Sequence, residues 1–187
     1  MSLKTRFGNL GNILDFDNLT EENIYVLDSP ILTNSQFKKF KKFFSKKIKV
    51  IDCTFDIQNS LKDRIEAIRE EVETAVREGS TCIVLSDKDF SSQKASIPSI
   101  LTVGAVHSHL VKHGLRGYCS LNVECSDAMD THSFAILIGV GATTVNPYLA
   151  IDSIYQRFEK KLFGKSDFET CVSKFKKSID AGLLKIM

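Results

Sequence analysis

The sequence has no large excess of charge of either sign. Its 25 lysines and arginines face 23 aspartates and glutamates, which gives a formal net charge of +2. This balance argues against a dedicated nucleic-acid surface. Lysines do cluster over residues 38–49, but phenylalanines alternate with them. That pattern favours the solvated face of an amphipathic helix over an anion-binding patch.

Long apolar runs and targeting signals are also missing. No apolar stretch is long enough to span a bilayer, and the first residues do not have the pattern of a signal peptide. The five cysteines show no CxxC spacing, and their number is odd. Three of them, Cys53, Cys82 and Cys119, lie in apolar runs where a thiol acts as a small hydrophobe. We therefore expect free thiols in a reducing compartment, the cytoplasm, and no membrane partner.

The sequence also lacks the short motifs that bind nucleotides or form a hydrolase triad. There is no Walker loop, no GxGxxG, no GxSxG and no defensible order of serine, histidine and aspartate. The segment "GVGATT" (139–144) has two glycines before a strand rather than after one, so it reads as a helix stop and a tight turn. We therefore predict no catalytic, cofactor-binding or metal-binding residues, and no bound cofactor in this chain.

What the sequence does contain is a regular alternation of β and α patterns. A first helix begins with a capping box, Thr33 with Gln36, and a last helix is predicted to begin with a second one, Ser166 with Glu169. Between them lie four strand–helix pairs. The strands are predicted at 49–55, 81–87, 118–125 and 143–148, and the helices at 61–79, 99–113, 130–141 and 149–163. We divide the chain into an extended lead-in (1–32), an α/β domain (33–165) and a C-terminal helix with a junction (166–187).

Repeated βα units predict an α/β fold with a mostly parallel sheet flanked by helices. Four units fit either half of an eight-fold barrel or one open, three-layer sheet. In both cases, functional groups are expected beyond the carboxyl ends of the strands. Those ends are residues 54–56, 86–90, 124–127 and 146–148.

Three histidines within seven residues raise the question of a metal site. On a helical wheel His107 falls with Ile100, Val103, Leu110 and Val111, while His109 and His113 fall on the opposite side. The three cannot converge on one ion from a single helix. His109 and His113 have the i, i+4 spacing of a zinc-binding pair, but no third ligand stands nearby in the sequence. We expect His107 to be a hydrogen-bonded core histidine and the other two to face solvent or a neighbouring domain.

Acidic residues at the predicted strand ends are the other candidates for chemistry. Carboxylates there could perform acid–base catalysis, or they could cap helices and bind the lead-in. The loop after the second strand is long for a βα connection. A cysteine–histidine pair is a further candidate that nothing else in the sequence supports. The acids are Asp87, Asp89, Glu124 and Asp127, and the pair is Cys125 with His132.

Several segments resemble a known family. "IPSILTVGAVHSHLVKHGLR" (97–116), "SLNVE" (120–124) and "HSFAILIGVGATTVNPYLAIDSI" (132–154) are similar to the central domain of the glutamate synthase large chain. The lead-in "MSLKTRFGNLGNIL" and the final "KSIDAGLLKIM" also resemble the family, so the similarity covers nearly the whole chain. Ser108, Ser133 and Val140 depart from the family pattern at positions to which we assign no catalytic role.

The resemblance implies a role within a larger enzyme. Glutamate synthase hydrolyses glutamine in an amidotransferase domain and passes ammonia through an internal channel to a synthase domain. There FMN, supported by an iron–sulfur cluster, reduces the product formed with 2-oxoglutarate to glutamate. The resemblance implies that this chain is a non-catalytic fragment that links those domains and helps wall the channel. It also implies that the amidotransferase and FMN-binding domains are its partners and that FMN and the cluster lie outside it.

An alternative stays open at this point. The chain could be a stand-alone α/β domain that binds a small anionic ligand at the carboxyl edge of its strands. In the fragment hypothesis we expect exposed apolar docking faces, which could also drive self-association. In the alternative we expect a formed polar pocket with perturbed ionisable groups.

Overall fold

A computed structural model describes residues 2–7 and 24–187 of the chain. Residues 8–23 of the predicted extended lead-in lie outside these residues. The helices are α1 (Asn34–Phe43), α2 (Leu61–Arg77), α3 (Ser99–Lys112), α4 (Thr131–Gly139), α5 (Tyr148–Glu159) and α6 (Phe168–Ile186). The strands are β1 (Thr5–Phe7), β2 (Tyr25–Leu27), β3 (Ile48–Asp52), β4 (Thr54–Asp56), β5 (Cys82–Ser86), β6 (Lys94–Ser96), β7 (Ser120–Glu124) and β8 (Thr144–Asn146).

Four parallel strands form the central sheet in the order β3-β5-β7-β8. Each strand pairs with the next one of the βα series, as right-handed crossovers of successive units produce. The α/β class and the parallel sheet flanked by helices are therefore confirmed. The four strands lie side by side in chain order, as they do in a segment of a βα barrel. Helices cover both faces of the sheet, as in an open three-layer domain.

The two faces of the sheet are packed by different helices. On one face, alternate strand residues such as Ile83 and Leu85 join a core with α2, α3, α4 and α6. On the other face, Cys82 and Val84 pack under the buried phenylalanines of α1, Phe37 and Phe40. Since successive side chains of a strand point to opposite faces, an all-apolar strand such as β5 needs both layers to bury it.

One of the two predicted capping boxes is confirmed and the other is wrong. Thr33 and Gln36 form the expected capping box of α1, and Ser60 accepts a hydrogen bond from Asp63 N at the start of α2. For α6, the predicted capping box of Ser166 and Glu169 is wrong. Asp167 is the N-cap, and its carboxylate accepts the backbone N–H of Thr170. Aspartate and serine are about equally good N-caps, so two that stand side by side cannot be ranked from the sequence alone.

The predicted strand at 49–55 is also two elements rather than one. β3 ends at Asp52, and β4 leaves the sheet to pair with β6 in an antiparallel ribbon. The carboxylate of Asp52 accepts both the N–H and the hydroxyl of Thr54, which turns the chain at this point. A β-branched run does not reveal such a turn because the side chains on both sides of it favour strands.

The helix α6 closes the domain on the side of α4. Ile179 and Leu183 enter the main core, and Phe175 packs edge-on against Phe134 of α4 at 6.4 Å between ring centroids. Within residues 2–7 and 24–187, no helix combines the length and apolar character needed to cross a membrane.

Candidate functional site

The carboxyl edge of the sheet carries a buried carboxylate, Glu124, at the end of β7. The register of β5 and β7 places Ser86 opposite Glu124, and the serine hydroxyl donates a hydrogen bond of 3.0 Å to Glu124 Oε2. Two lysine ammonium groups, Lys41 from α1 and Lys88 after β5, lie 3.6 and 3.7 Å from Oε1. Glu124 is only 5% exposed, so these partners offset the cost of burying its charge.

A second buried carboxylate, Asp87, follows β5 directly. Its Oδ2 accepts hydrogen bonds from the Ser96 hydroxyl at 3.0 Å and from the N–H and hydroxyl of Ser126 at 3.0 and 2.6 Å. Within the described residues, its Oδ1 and the nearby Tyr148 hydroxyl have no hydrogen-bond partner. Burial and the charge of Asp87 raise the pKa of Tyr148, which keeps this phenol neutral.

The long loop after β5 is what closes this edge. Its strand β6 pairs with β4 and brings Ser96 onto Asp87. The cavity that remains between Asp87 and Glu124 has a volume of about 10 Å³. This is about the room that one water molecule needs, and too little for a substrate. The two strand-end acids are therefore used to join loops and strands.

The other predicted acids and the cysteine–histidine pair do not join this cluster. Asp127 is exposed, and its carboxylate accepts the N–H of Ser99 at 2.9 Å, so it caps α3 from a distant loop. Asp89 is exposed on the loop after β5. Cys125 is buried while His132 is exposed, and burial raises the pKa of the Cys125 thiol, which opposes thiolate formation.

The structure reveals a polar row that sequence reasoning missed. One set of alternate side chains of β7, which begins with Ser120, is buried on the face of the sheet that α1 covers. The β8 residues paired with this set are buried on the same face. Asn122 stands at the centre. Its amide donates to Ile83 O at 3.1 Å and to Ser120 Oγ at 3.0 Å, and it accepts the Thr144 hydroxyl at 2.8 Å. The row consists of Ser120, Asn122, Glu124, Thr144 and Asn146. The alternation of polar residues in "SLNVE" and "TVN" was the available signal.

The polar row extends between two different environments. Ser120 lines a surface pocket of about 330 Å³ at the amino end of the strands, beside Arg116 and Tyr118. At the other end Asn146 donates to Leu32 O at 2.9 Å and to Asn34 Oδ1 at 3.0 Å, beside Glu124. The phenylalanines of α1 cover the apolar strands, whereas this half of the same face is lined with hydroxyl and amide groups.

His107 is hydrogen-bonded, as expected, but it is half-buried rather than part of the core. Its Nδ1 accepts the Arg116 Nε–H at 3.1 Å, and the same guanidinium donates to Gly141 O at 2.8 Å. Burial, followed by the charge of Arg116, lowers the pKa of His107. Gly141, in the "GVGATT" turn, has a φ of +120° and lies so close that a Cβ there would be 2.2 Å from His107 Nδ1. The turn therefore ends α4, as its sequence predicts, and its backbone also packs against the ring of His107.

The prediction for the rest of the histidine helix needs correction. Ile100 and Val111, which the helical wheel placed on the apolar stripe, are 44% and 54% exposed. Thr102 and Val106 are buried instead. His109 does not face solvent: its Nε2 lies 2.6 Å from Glu73 Oε2 on α2. The wheel failed here because α3 is apolar on most sides, so its buried stripe is set by which helices pack on it.

The fold and the carboxyl edge of the sheet define a class of protein. It is a parallel βα domain whose strand-end acids form hydrogen bonds and ion pairs within the domain itself. Across residues 1–187 the chain matches the family model described as "Glutamate synthase central domain". The chain belongs to this family and is a central domain of a glutamate synthase large chain.

The similar curated proteins are glutamate synthases. The "Glutamate synthase [NADPH] large chain" of Azospirillum brasilense is 47% identical over all of this chain and 12% of its own length. The large chain of Bacillus subtilis is 38% identical over 86% of this chain and 10% of its own. The chloroplastic ferredoxin-dependent enzyme of Spinacia oleracea is 35% identical over the whole chain and 12% of its own. The chain thus spans about an eighth of these relatives.

Among solved structures, a mutant flavocytochrome b2 with pyruvate bound aligns with 91% of this chain and 38% of its own. The TM-score is 0.48 and the sequence identity is 20%.

Proposed function

We propose that this chain acts as a non-catalytic central domain that joins a glutaminase domain to a synthase domain and helps to wall the ammonia path between them. The observation that carries the non-catalytic role is the closed carboxyl edge. Asp87 and Glu124 are engaged by serine and lysine partners, and the cavity between them has room for about one water. In this proposal the whole protein makes glutamate from glutamine and 2-oxoglutarate.

The polar row supports a part in the ammonia path. Ammonia is a small hydrogen-bonding molecule. Moving it along an apolar wall, where it has no hydrogen-bond partners, would cost free energy. A sheet face lined by Asn122, Thr144 and Asn146, reaching from the pocket at Ser120 to the carboxylate of Glu124, offers matching hydroxyl and amide groups.

The cofactors of the whole protein are proposed to lie outside this chain, because the residues here do not fit them. An iron–sulfur cluster needs cysteine thiolates. The five thiols here are buried, and burial raises the pKa of four of them: Cys53, Cys82, Cys119 and Cys125. A phosphate would need the open glycine turn at 139–144, but His107 fills the space at Gly141.

The division of the chain at residues 32 and 165, a cytoplasmic location and self-association through apolar faces also stand as proposals. The free thiols support a reducing compartment. Exposed apolar side chains such as Phe43, Val50 and Leu162 support docking faces, toward the neighbouring domains or a second copy.

The linking role is tested by the size of the native product. An antibody raised against this domain, used on an immunoblot of the source cells, should detect a band several-fold heavier than 20.9 kDa. A band at this mass would contradict the linking role. It would favour the alternative of a stand-alone α/β domain that binds a small anionic ligand at the carboxyl edge of its strands.

The ammonia path is tested in the full-length protein with the substitution Thr144→Val, which removes the hydroxyl bound to Asn122. We expect less glutamate formed per glutamine hydrolysed, with ammonia-dependent glutamate formation retained. Thr102→Val is the matched control. Thr102 is equally buried, but its hydroxyl donates a hydrogen bond to the carbonyl of Pro98, just before α3. Equal yields for both variants and the wild type would contradict a role of the polar row.

A further inference from the structure

Two helices bring together three side chains of the kinds that bind transition metals. The ligand atoms of Glu73, His109 and His113 all lie within 4.8 Å of one another. His109 and His113 are one turn apart on α3, with ring centroids 4.2 Å apart, and Glu73 comes from α2, which packs against α3. The sequence contains the histidine pair but separates it from the third ligand by 36 residues.

We propose that Glu73, His109 and His113 bind one divalent transition-metal ion, for which zinc is the best match. Two imidazole nitrogens and one carboxylate oxygen are a recurrent zinc ligand set, with water completing the tetrahedron. The proposal is independent of the role in ammonia transfer.

The carboxylate is already oriented for this role. Arg77, one turn further along α2, holds Glu73 Oε1 at 2.8 Å, which leaves Oε2 directed at the histidines. Oε2 lies 2.6 Å from His109 Nε2, and one ligand atom of each of the three side chains lies within 4.8 Å of the others. Ligand atoms in a tetrahedral zinc site are about 3.3 Å apart, given bond lengths near 2.0 Å. Side-chain adjustments on the order of 1 Å, without movement of the helices, would therefore complete the site.

One of the two histidines, His113, also has the outer contact that a metal ligand needs. Nδ1 of His113 lies 2.8 Å from His109 O, and a backbone carbonyl is a usual partner for the nitrogen that does not bind the metal. With the proton on Nδ1, His113 Nε2 is the free ligand atom. For His109, metal binding at Nε2 replaces the contact with Glu73, and the neutral ring then carries its proton on Nδ1.

The surroundings favour a site on the surface of the domain rather than in its core. The side chains of His109 and Glu73 are 18% and 21% exposed, and that of His113 is 35% exposed. An ion can therefore reach them from solvent while the α2–α3 contact limits their motion. Bound metal would link the two helices and raise the thermal midpoint of unfolding.

The test is a calorimetric titration of zinc into the full chain, purified without a histidine tag. We expect one saturable site and a rise in the thermal midpoint on addition of zinc but not of magnesium. His113→Ala removes an exposed ligand, and its loss of affinity should exceed the roughly 10- to 100-fold that loss of an outer-shell partner costs. Glu73→Gln should also weaken binding.

His132→Ala is the matched control, because His132 is exposed on α4, away from the proposed site. It should bind zinc as the wild type does. Cobalt is the spectroscopic probe: nitrogen and oxygen ligands give visible bands without a thiolate charge-transfer band. The proposal is overturned if no saturable site appears, if His113→Ala binds as tightly as His132→Ala, or if a thiolate band shows that cysteines are the ligands.

Discussion

At the scale of single residues, one glycine decides how a turn and a helix meet. Gly141 has a φ of +120°, which side chains other than glycine rarely adopt, and it contacts the ring of His107. The same ring accepts the hydrogen bond of Arg116, whose guanidinium returns to Gly141 O. The glycine, the histidine and the arginine therefore depend on one another, although they are far apart in the sequence.

Gly141→Ala should destabilise the chain by roughly 2–5 kcal/mol, from backbone strain and the overlap with His107. Urea unfolding followed by circular dichroism measures this free energy. Gly139→Ala is the control, because a Cβ there meets nothing within 4 Å and the residue ends α4. It should leave stability unchanged or raise it by up to about 1 kcal/mol. Similar losses for both variants would refute the steric argument.

At the scale of elements, helix boundaries show where local patterns are reliable. The starts of α1 and α2 follow from Thr33 and Ser60 because a side-chain oxygen there meets the free N–H groups of the first turn. At α6 two candidate caps stand side by side, and the pattern alone favoured Ser166. The structure places Asp167 at the cap, with hydrogen bonds to the N–H and hydroxyl of Thr170.

Asp167→Ala should lower the thermal midpoint by roughly 2–4 °C, as loss of a cap does in a domain of this size. Ser166→Ala should leave the midpoint unchanged. Hydrogen bonds from Thr170 lower the pKa of Asp167 from its ordinary 3.8. The difference between the two variants should therefore be full above that pH and shrink as the pH falls through the lowered pKa of Asp167. Calorimetry at pH 7 and near pH 3 checks both statements. A larger loss of thermal midpoint for Ser166→Ala would contradict them and support the capping box of Ser166 and Glu169.

At the scale of the whole molecule, the five cysteines report how closely the layers pack. All are free and buried, on strands, loops and α6. Burial raises the pKa of Cys82 to about 12, and desolvation raises those of Cys53, Cys119 and Cys125 as well. Thiolate is the reactive form, so both the access and the chemistry of these groups are limited in the folded chain.

A thiol reagent should therefore modify none of the five cysteines rapidly in the native chain and all five in denaturant. The absorbance of the released chromophore measures both phases. Raising the pH from 7 to 9 should change the native rate little, because all five thiols are covered and burial raises the pKa of four of them. A rapid native reaction of even one cysteine would show that the layer over it opens.

The sequence by itself determined the parallel α/β class, the order of the six helices and four central strands, the burial of Cys53, Cys82 and Cys119, and the family. These properties depend on hydrophobic periodicity, helix caps and family sequence motifs. Each of these signals lies within a short stretch of the chain. Only the tertiary structure decided the break between β3 and β4, the inward turn of His109 and the use of Asp87 and Glu124. It also brought Glu73 to His113 and aligned Ser120, Asn122 and Thr144. Each of these depends on strand register or helix contact between distant segments, and no local pattern encodes such distances.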